Sequence, residues 1–356
     1  MIPIAKPYIG TREKELVMEV LDSGMLVQGS KVAALETAFA EVCNVKHAIA
    51  TTSGTTALHI ALLAHGIGEG DEVITTPFTF IASANSILFT GATPVFVDID
   101  IDTFNIDPKL IEAAITPRTK AILPVHLYGY MCDMKEIMDI AEKHKLIVIE
   151  DACQAVGASY QGKKSGSFGT GTFSLYATKN VMSGEGGMVS TDDDEIARRC
   201  KLLRSHGMKV RYYHDMLGYN YRMSDLLAAI GVAQMERLEE FNAIRKENAK
   251  FLSENIKSVI VPKVKLGYDH VWHQYTIRID GNRDRDAAVK QLNGAGIGTG
   301  IFYPVPVHQQ VYMREIIGDN QFPVSEKLAK QVISLPVHPQ VSQADLEKIV
   351  EEVNKL

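Results

Sequence analysis

Between His47 and Glu150, short apolar runs alternate with helical stretches, and this alternation constrains the fold more than any other feature of the chain. His47-Ala-Ile-Ala-Thr51, Glu72-Val-Ile-Thr-Thr76, Pro94-Val-Phe-Val-Asp98, Lys120-Ala-Ile-Leu-Pro124 and Leu146-Ile-Val-Ile-Glu150 read as strands. Helical spacing is predicted over about Thr55 to His65, Phe80 to Thr90 and Asp133 to His144. The rhythm means βαβ units and a mostly parallel α/β sheet covered on both faces. Sheets of this kind bind ligands beyond the carboxyl ends of their strands. Ser53, Phe80 and Asp151 all fall there.

The flanks read differently. Two helices precede the alternation, Thr11 to Ser23 with Leu16, Val17, Val20 and Leu21 on one face, and Lys31 to Cys43 with Val32, Leu35 and Phe39 inward. After Gly187 the spacing predicts a helix over Asp194 to His206 and a long helical region over Ser224 to Leu252. Two strand-like runs follow, Trp272 to Ile279 and Gly298 to Phe302, around a helix at Asp286 to Asn293. A last helix, Gln343 to Val353, starts at a Ser342 cap. At 356 residues two domains are expected: a large domain over 1–250 that includes the N-terminal segment, and a small α+β domain over 251–356.

Charge and cysteines exclude several classes. The balance of 37 basic against 43 acidic residues, net −6 and without a basic block, argues against nucleic acid or an anionic membrane as partner. Cys43, Cys132, Cys153 and Cys200 form no CxxC pair, so neither a metal site nor a disulfide framework is expected and a reduced, cytoplasmic setting is. No apolar run reaches the roughly 18 residues of a membrane span, and Met1-Ile-Pro does not open a signal peptide.

The chemistry concentrates between Leu146 and Gly187. A buried strand delivers Asp151 at its carboxyl end. A second β-rich run, Thr172-Phe-Ser-Leu-Tyr-Ala-Thr-Lys179, delivers one lysine, followed by Gly184-Glu-Gly-Gly187. Further upstream, Thr51-Thr-Ser53-Gly54-Thr55-Thr56 lies between a strand and a helix, whose first amides are unpaired and partly positive. That turn is either an ordinary N-cap by Ser53 or Thr52 or a phosphate cradle. A lysine is usually a solvated charge, and Asp151 alone could equally hold magnesium. One site that explains phosphate cradle, carboxylate and amine together is a pyridoxal 5'-phosphate (PLP) site: the amine bonds to the aldehyde, the carboxylate pairs with the ring nitrogen, and the helix terminus holds the phosphate. Gly157-Ala-Ser-Tyr-Gln-Gly-Lys163-Lys164 nearly spells a Walker A loop, but Lys164 replaces the magnesium-binding hydroxyl. The glycine runs at 66–70 and 294–300 have turn spacing.

With these residues in place, the chain resembles the DegT/DnrJ/EryC1/StrS family of PLP-dependent sugar aminotransferases. The likeness runs through Gly24-Met-Leu-Val-Gln-Gly29, Thr52-Ser-Gly-Thr-Thr-Ala-Leu58, Gly70-Asp-Glu-Val-Ile74, Pro77-Phe-Thr-Phe80, Gly91-Ala-Thr-Pro-Val-Phe-Val-Asp98, Ile149-Glu-Asp-Ala-Cys-Gln154, the lysine stretch, Gly218-Tyr-Asn-Tyr-Arg-Met223 and Tyr303-Pro-Val-Pro-Val-His308. The resemblance implies the aspartate-aminotransferase (fold type I) architecture, with a mostly parallel seven-stranded sheet. It implies a homodimer with its active site at the interface. It gives Lys179 the internal aldimine and the proton transfers, Asp151 the ring nitrogen, and Gln154, one helical turn on, the ring's phenolic oxygen. Phe80 would stack on the ring, or else pack in the core. Gly54, Thr55 and Ser174 would hold the phosphate, and Asn220 would reach it from the other subunit, or else serve a turn. Tyr303 and His308 are candidate substrate contacts.

The implied reaction is ping-pong transfer from an amino-acid donor, usually L-glutamate in this family, to a nucleotide-linked keto-sugar. A lysine where some members carry histidine favours transamination over dehydration. Gly218-Tyr-Asn-Tyr-Arg-Met223 resembles the members that aminate C4 of a 4-keto-6-deoxy sugar more than the C3 group. Phe302 stands where the family often carries histidine before Tyr-Pro, which implies a departure in substrate if that histidine touches the sugar or its diphosphate. The rivals are a C3 keto-sugar or a non-nucleotide carbonyl such as a cyclitol ketone. A non-catalytic regulator on the same fold would carry a DNA-binding or tail segment, which this acidic sequence does not display.

Overall fold

The computed structural model describes residues 1–280 and 283–356. Two helices, α1 (Thr11–Ser23) and α2 (Ser30–Cys43), lead into β1 (His47–Thr51), α3 (Gly54–Ala64), β2 (Glu72–Thr75), α4 (Ala82–Phe89), β3 (Thr93–Phe96), β4 (Thr119–Ile122), α5 (Met134–His144) and β5 (Ile147–Asp151). These follow the alternation read from the sequence to within a few residues. Next come a small hairpin, β6 (Ser159–Tyr160) and β7 (Lys163–Lys164), then β8 (Thr170–Ser174), β9 (Gly187–Thr191) and α6 (Asp194–Arg204).

The seven long strands form one sheet in the order β1-β9-β8-β5-β4-β2-β3. The pairs β8–β5, β5–β4, β4–β2 and β2–β3 are parallel, while β9 runs antiparallel to both β8 and β1. Strand alternation sends Val148 into the core on one face, with Phe39 and Phe173, and Ile149 into the core on the other, with Leu58 and Val189. Full burial on both faces explains why these strands read as continuous apolar runs.

The near-Walker stretch is the β6–β7 hairpin. It turns at Gln161 and Gly162, both with positive φ, and Lys163 lies 4.5 Å over the ring of Phe168. That geometry leaves no phosphate loop, in keeping with the missing hydroxyl.

The chain continues through a second hairpin, β10 (Met208–Val210) and β11 (Tyr213–His214), then α7 (Asp225–Met235), α8 (Leu238–Asn255), β12 (Tyr268–Asp269), β13 (Tyr275–Arg278), α9 (Arg285–Gly294), α10 (Val311–Ile317), α11 (Pro323–Ala329), β14 (Val332–Leu335) and α12 (Gln343–Val353). The helical region expected over Ser224 to Leu252 is built as two helices that meet at Glu236 and Arg237. One expectation changes. Gly298 to Phe302 is not a strand: only Gly300 makes an isolated bridge, to Ser334, and the partner of β13 is β14.

Asp225 ties α7 to the front of the molecule. Its buried carboxylate accepts from the backbone amides of Gly29, Lys31 and Val32 at the start of α2. These include amides a helix leaves unpaired, so a buried anion is stabilised there. A third apolar cluster joins the end of α8 to β13, β14, α9 and α12, with Ile2 of the N-terminal arm packed into it. None of the described helices is long and apolar enough to cross a membrane.

Candidate active site

The carboxyl ends of β1, β5 and β8 open onto one cavity of about 420 Å3, a volume in the range of small-molecule sites. At the end of β1, Ser53 caps α3, its Oγ accepting from the Thr56 amide at 3.1 Å. Gly54 is the first residue of the helix and lies against the β5 and β8 ends: a Cβ there would sit 2.9 Å from both Cys153 Sγ and Ser174 Cβ. Only glycine lets the helix start so deep. Gly187, the first residue of β9, is constrained by the same turn, since its Cβ would meet the Ser53 carbonyl at 2.1 Å. The glycine-rich turn after the lysine is therefore packed under the α3 terminus.

Asp151, the last residue of β5, is 5% exposed. Its Oδ2 accepts from Ser83 Oγ at 2.7 Å and its Oδ1 from the Cys153 amide at 3.2 Å. Ser83 is in turn bonded to Thr79 Oγ1 at 2.9 Å, so the start of α4 aims the carboxylate.

Lys179 sits in the turn between β8 and β9, its amide bonded to the Tyr176 carbonyl at 2.9 Å. The side chain is half-buried in the cavity wall, and its amine has no hydrogen-bond partner among the described residues. Burial lowers its pKa, against the opposing pull of Cys153 and Asp151. A partly buried amine with a depressed pKa, sharing its cavity with a carboxylate, is what a nucleophilic lysine requires.

The remaining expected residues divide. Gly54, Thr55, Phe80, Asp151, Gln154, Ser174, Lys179 and Tyr303 all line this cavity. Phe80 is 56% exposed, outside the apolar clusters, with its ring 6.2 Å from that of Tyr303. Gln154 follows β5 on a turn rather than on a helix. Its Oε1 accepts from the Tyr128 amide at 2.8 Å and its Nε2 donates to Tyr303 Oη at 3.2 Å. Tyr128 Oη donates to the Phe302 carbonyl, which holds the Phe302-Tyr303 segment against the cavity.

Two residues stand apart. His308 is buried against Phe322, with Nε2 3.1 Å from Glu326 Oε1, and does not line the cavity. Asn220 is exposed and pairs with Ser205 through the backbone, also outside the cavity of its own chain. The structure adds lining residues that sequence reasoning missed, among them Ser83, Glu185, His273 and Gln274. Only Ser83 had a local signal, a hydroxyl one helical turn after Thr79.

The donor set fits PLP. The first amides of α3 with the Thr55 and Ser174 hydroxyls suit a phosphate, Asp151 suits a ring nitrogen that carries a proton, and Lys179 suits an aldehyde. Phosphate cradle, strand-end carboxylate and lysine on a seven-stranded α/β sheet define the site of a PLP-dependent enzyme of fold type I.

Comparison with known proteins agrees. The model of the DegT/DnrJ/EryC1/StrS aminotransferase family matches residues 7–354, and the chain belongs to that family. It is 43% identical to the GDP-perosamine synthase of Caulobacter vibrioides, covering 100% of this chain and 98% of the relative. It is 46% identical to a protein of Geobacillus stearothermophilus named as a pleiotropic regulatory protein, over 99% and 97%. Among solved structures, DesV of S. venezuelae in complex with a ketimine intermediate superposes with a TM-score of 0.92 at 38% identity, covering 96% of this chain and 93% of that one. The PLP form of a putative sugar aminotransferase from Streptococcus pneumoniae superposes with a TM-score of 0.95 at 28% identity, over 99% and 97%.

Proposed function

We propose that the protein transfers an amino group from L-glutamate to C4 of a nucleotide-linked 4-keto-6-deoxy sugar, in two half-reactions, as a cytoplasmic homodimer. The observation that carries this reading is the convergence of Lys179, Asp151 and the α3 terminus on one cavity. The full-length likeness to a GDP-perosamine synthase supports a sugar nucleotide as acceptor.

Bound PLP supplies an electron sink that stabilises the charge left when a proton leaves the substrate carbon. The protein does the rest. The Lys179 amine, kept closer to its free-base form by burial, would hold the cofactor by its aldehyde and, once the amino donor has taken its place there, would be free to carry the proton to and from the substrate carbon. Asp151, fixed by Ser83, would keep the ring nitrogen protonated. Gln154 would orient the ring hydroxyl, Phe80 would pack on the ring, and Gly54, Thr55 and Ser174 would hold the phosphate. Tyr303 would face the substrate; His308 is turned toward Glu326 and Phe322, away from the cavity of its own chain. Asn220 lies outside its own cavity, which accords with service to the partner's phosphate. The exposed apolar residues Met18, Leu21, Met25, Leu26 and Val27 support a second copy covering that surface.

The test is spectroscopic. L-Glutamate bleaches the visible band of the loaded enzyme, and one of the UDP-, dTDP- or GDP-linked 4-keto-6-deoxy sugars restores it. Restoration by a C3 keto-sugar alone moves the amine to C3. Restoration only by a cyclitol ketone overturns the sugar assignment.

A further inference from the structure

His273 lines the cavity as a buried imidazole with no part in the reaction above. Its tautomer follows from the side chains beside it. Asn242 Nδ2 donates to the Val156 carbonyl at 3.2 Å, which turns Asn242 Oδ1 toward Asn180. Asn180 Nδ2 donates to that oxygen and to the Val271 carbonyl, both at 2.8 Å. With its amide hydrogens committed, Asn180 Oδ1 only accepts, so the His273 Nδ1 at 3.2 Å is the donor. A neutral imidazole protonated at Nδ1 has a lone pair at Nε2, and among the described residues the only side-chain hydrogen bond of this ring is the one at Nδ1.

The ring is also held from behind. Arg245 Nη1 donates to the Trp272 and His273 carbonyls at 3.1 and 3.4 Å, and Asn180 is the residue after Lys179. The charges and titratable groups around the imidazole are Lys179, Arg245 on α8 and His270 on its own segment, with Asp151, Glu185 and Tyr303 sharing the cavity. Burial, then the charges of Lys179 and Arg245, keep its pKa well below 6.5, so the ring stays neutral at neutral pH.

We propose that His273 is a specificity residue whose Nε2 accepts a hydrogen bond from the sugar hydroxyl at C3, next to the carbon that receives the amine. This rests on the sugar-aminotransferase reading. A rigid acceptor of this kind rejects a sugar without the hydroxyl, because its lone pair then loses water and gains no donor.

Two unreactive probes, each made with GDP, UDP and dTDP, test it: a nucleotide-linked 6-deoxyhexose with a C4 hydroxyl in place of the ketone, and its 3-deoxy counterpart. Binding to the PLP-loaded protein is measured by calorimetry, alongside ¹⁵N NMR of the imidazoles. The wild type binds the 3-hydroxy probe about tenfold more tightly, as one hydrogen bond provides, and shows an unprotonated Nε2 whose signal moves only with that probe. His273→Asn keeps an Nδ2 donor for Asn180, while its one acceptor, Oδ1, ends beside Cγ, well short of the Nε2 position; it loads cofactor normally and binds both probes alike. A protonated Nε2 in the free protein, or wild-type discrimination in His273→Asn, overturns the proposal. If the tautomer is as stated but no GDP-, UDP- or dTDP-linked probe binds the wild type, the sugar reading itself fails and the proposal falls with it.

Discussion

At the end of β5, strand alternation sends the Glu150 carboxylate to one face of the sheet and that of Asp151 to the other. Glu150 is fully buried and accepts four hydrogen bonds, from the Gly166, Phe168 and Gly169 amides and from His126 Nε2. It closes the turn that leads into β8. Asp151 accepts from one hydroxyl and one amide and faces the cavity. Adjacent residues of the same chemistry thus divide the work: a carboxylate saturated by its own chain is structural, and one left with free lone pairs in a cavity is available to a ligand.

Substitutions at the two positions are expected to fail in opposite ways. Asp151→Ala lowers turnover by about 10²–10³-fold, the scale of removing one preorganised electrostatic partner. The melting temperature of the cofactor-free protein changes little. Steady-state rates and a thermal scan on the same preparation check both halves, and a large drop in melting temperature with normal turnover per folded molecule would erase the distinction. Glu150→Ala leaves four buried donors without an acceptor and costs about 3–5 kcal/mol, read by chemical denaturation, while the folded fraction keeps near-normal turnover.

Ser83→Ala sharpens the contrast from the side of Asp151. The carboxylate keeps its charge and loses its oriented hydroxyl donor, a bond worth about 1.5–3 kcal/mol to a charged group. Turnover falls by about tenfold, less than for Asp151→Ala; an unchanged rate shows that Asp151 does not need aiming.

The last effect is one of pH and belongs to the structural face. His65, at the end of α3, bonds through Nε2 to Thr170 Oγ1 at 2.8 Å, and burial lowers its pKa from 6.5 to about 4. Between these values the unfolded chain binds a proton that the folded one does not. Stability is therefore level above about pH 6.5 and declines as pH falls toward 4, by at most ~1.4 kcal/mol per unit from this group. His65→Gln flattens part of that slope in denaturation series at pH 5 and 7.

Strand alternation also explains what could be read before the structure. The strands β1 to β5 and the helices between them were legible because each is an uninterrupted apolar run or a helical stripe. Asp151 and Gly54 were legible because a strand end or a strand-to-helix turn places them in any such sheet. The break at Glu236 and Arg237 carries no glycine or proline and left no mark. The small sheet was misread because Gly298 to Phe302 and Val332 to Leu335 are both short, and only tertiary pairing selects between them. Ser83 and His273 reach their partners Asp151 and Asn180 across 68 and 93 residues of sequence, a distance that no local pattern encodes. His308 had the right chemistry in a familiar motif, but the turn at Val307–Gln309 directs it to Glu326.

The central claim is that Lys179 is the amine that holds the cofactor, and one measurement meets it directly. The protein is loaded with PLP, reduced with borohydride, digested, and its peptides are sequenced by mass spectrometry. The account predicts the pyridoxyl group on Lys179 alone, and none bound in Lys179→Ala. A label on another lysine, or a PLP band that survives in Lys179→Ala with turnover intact, would contradict it.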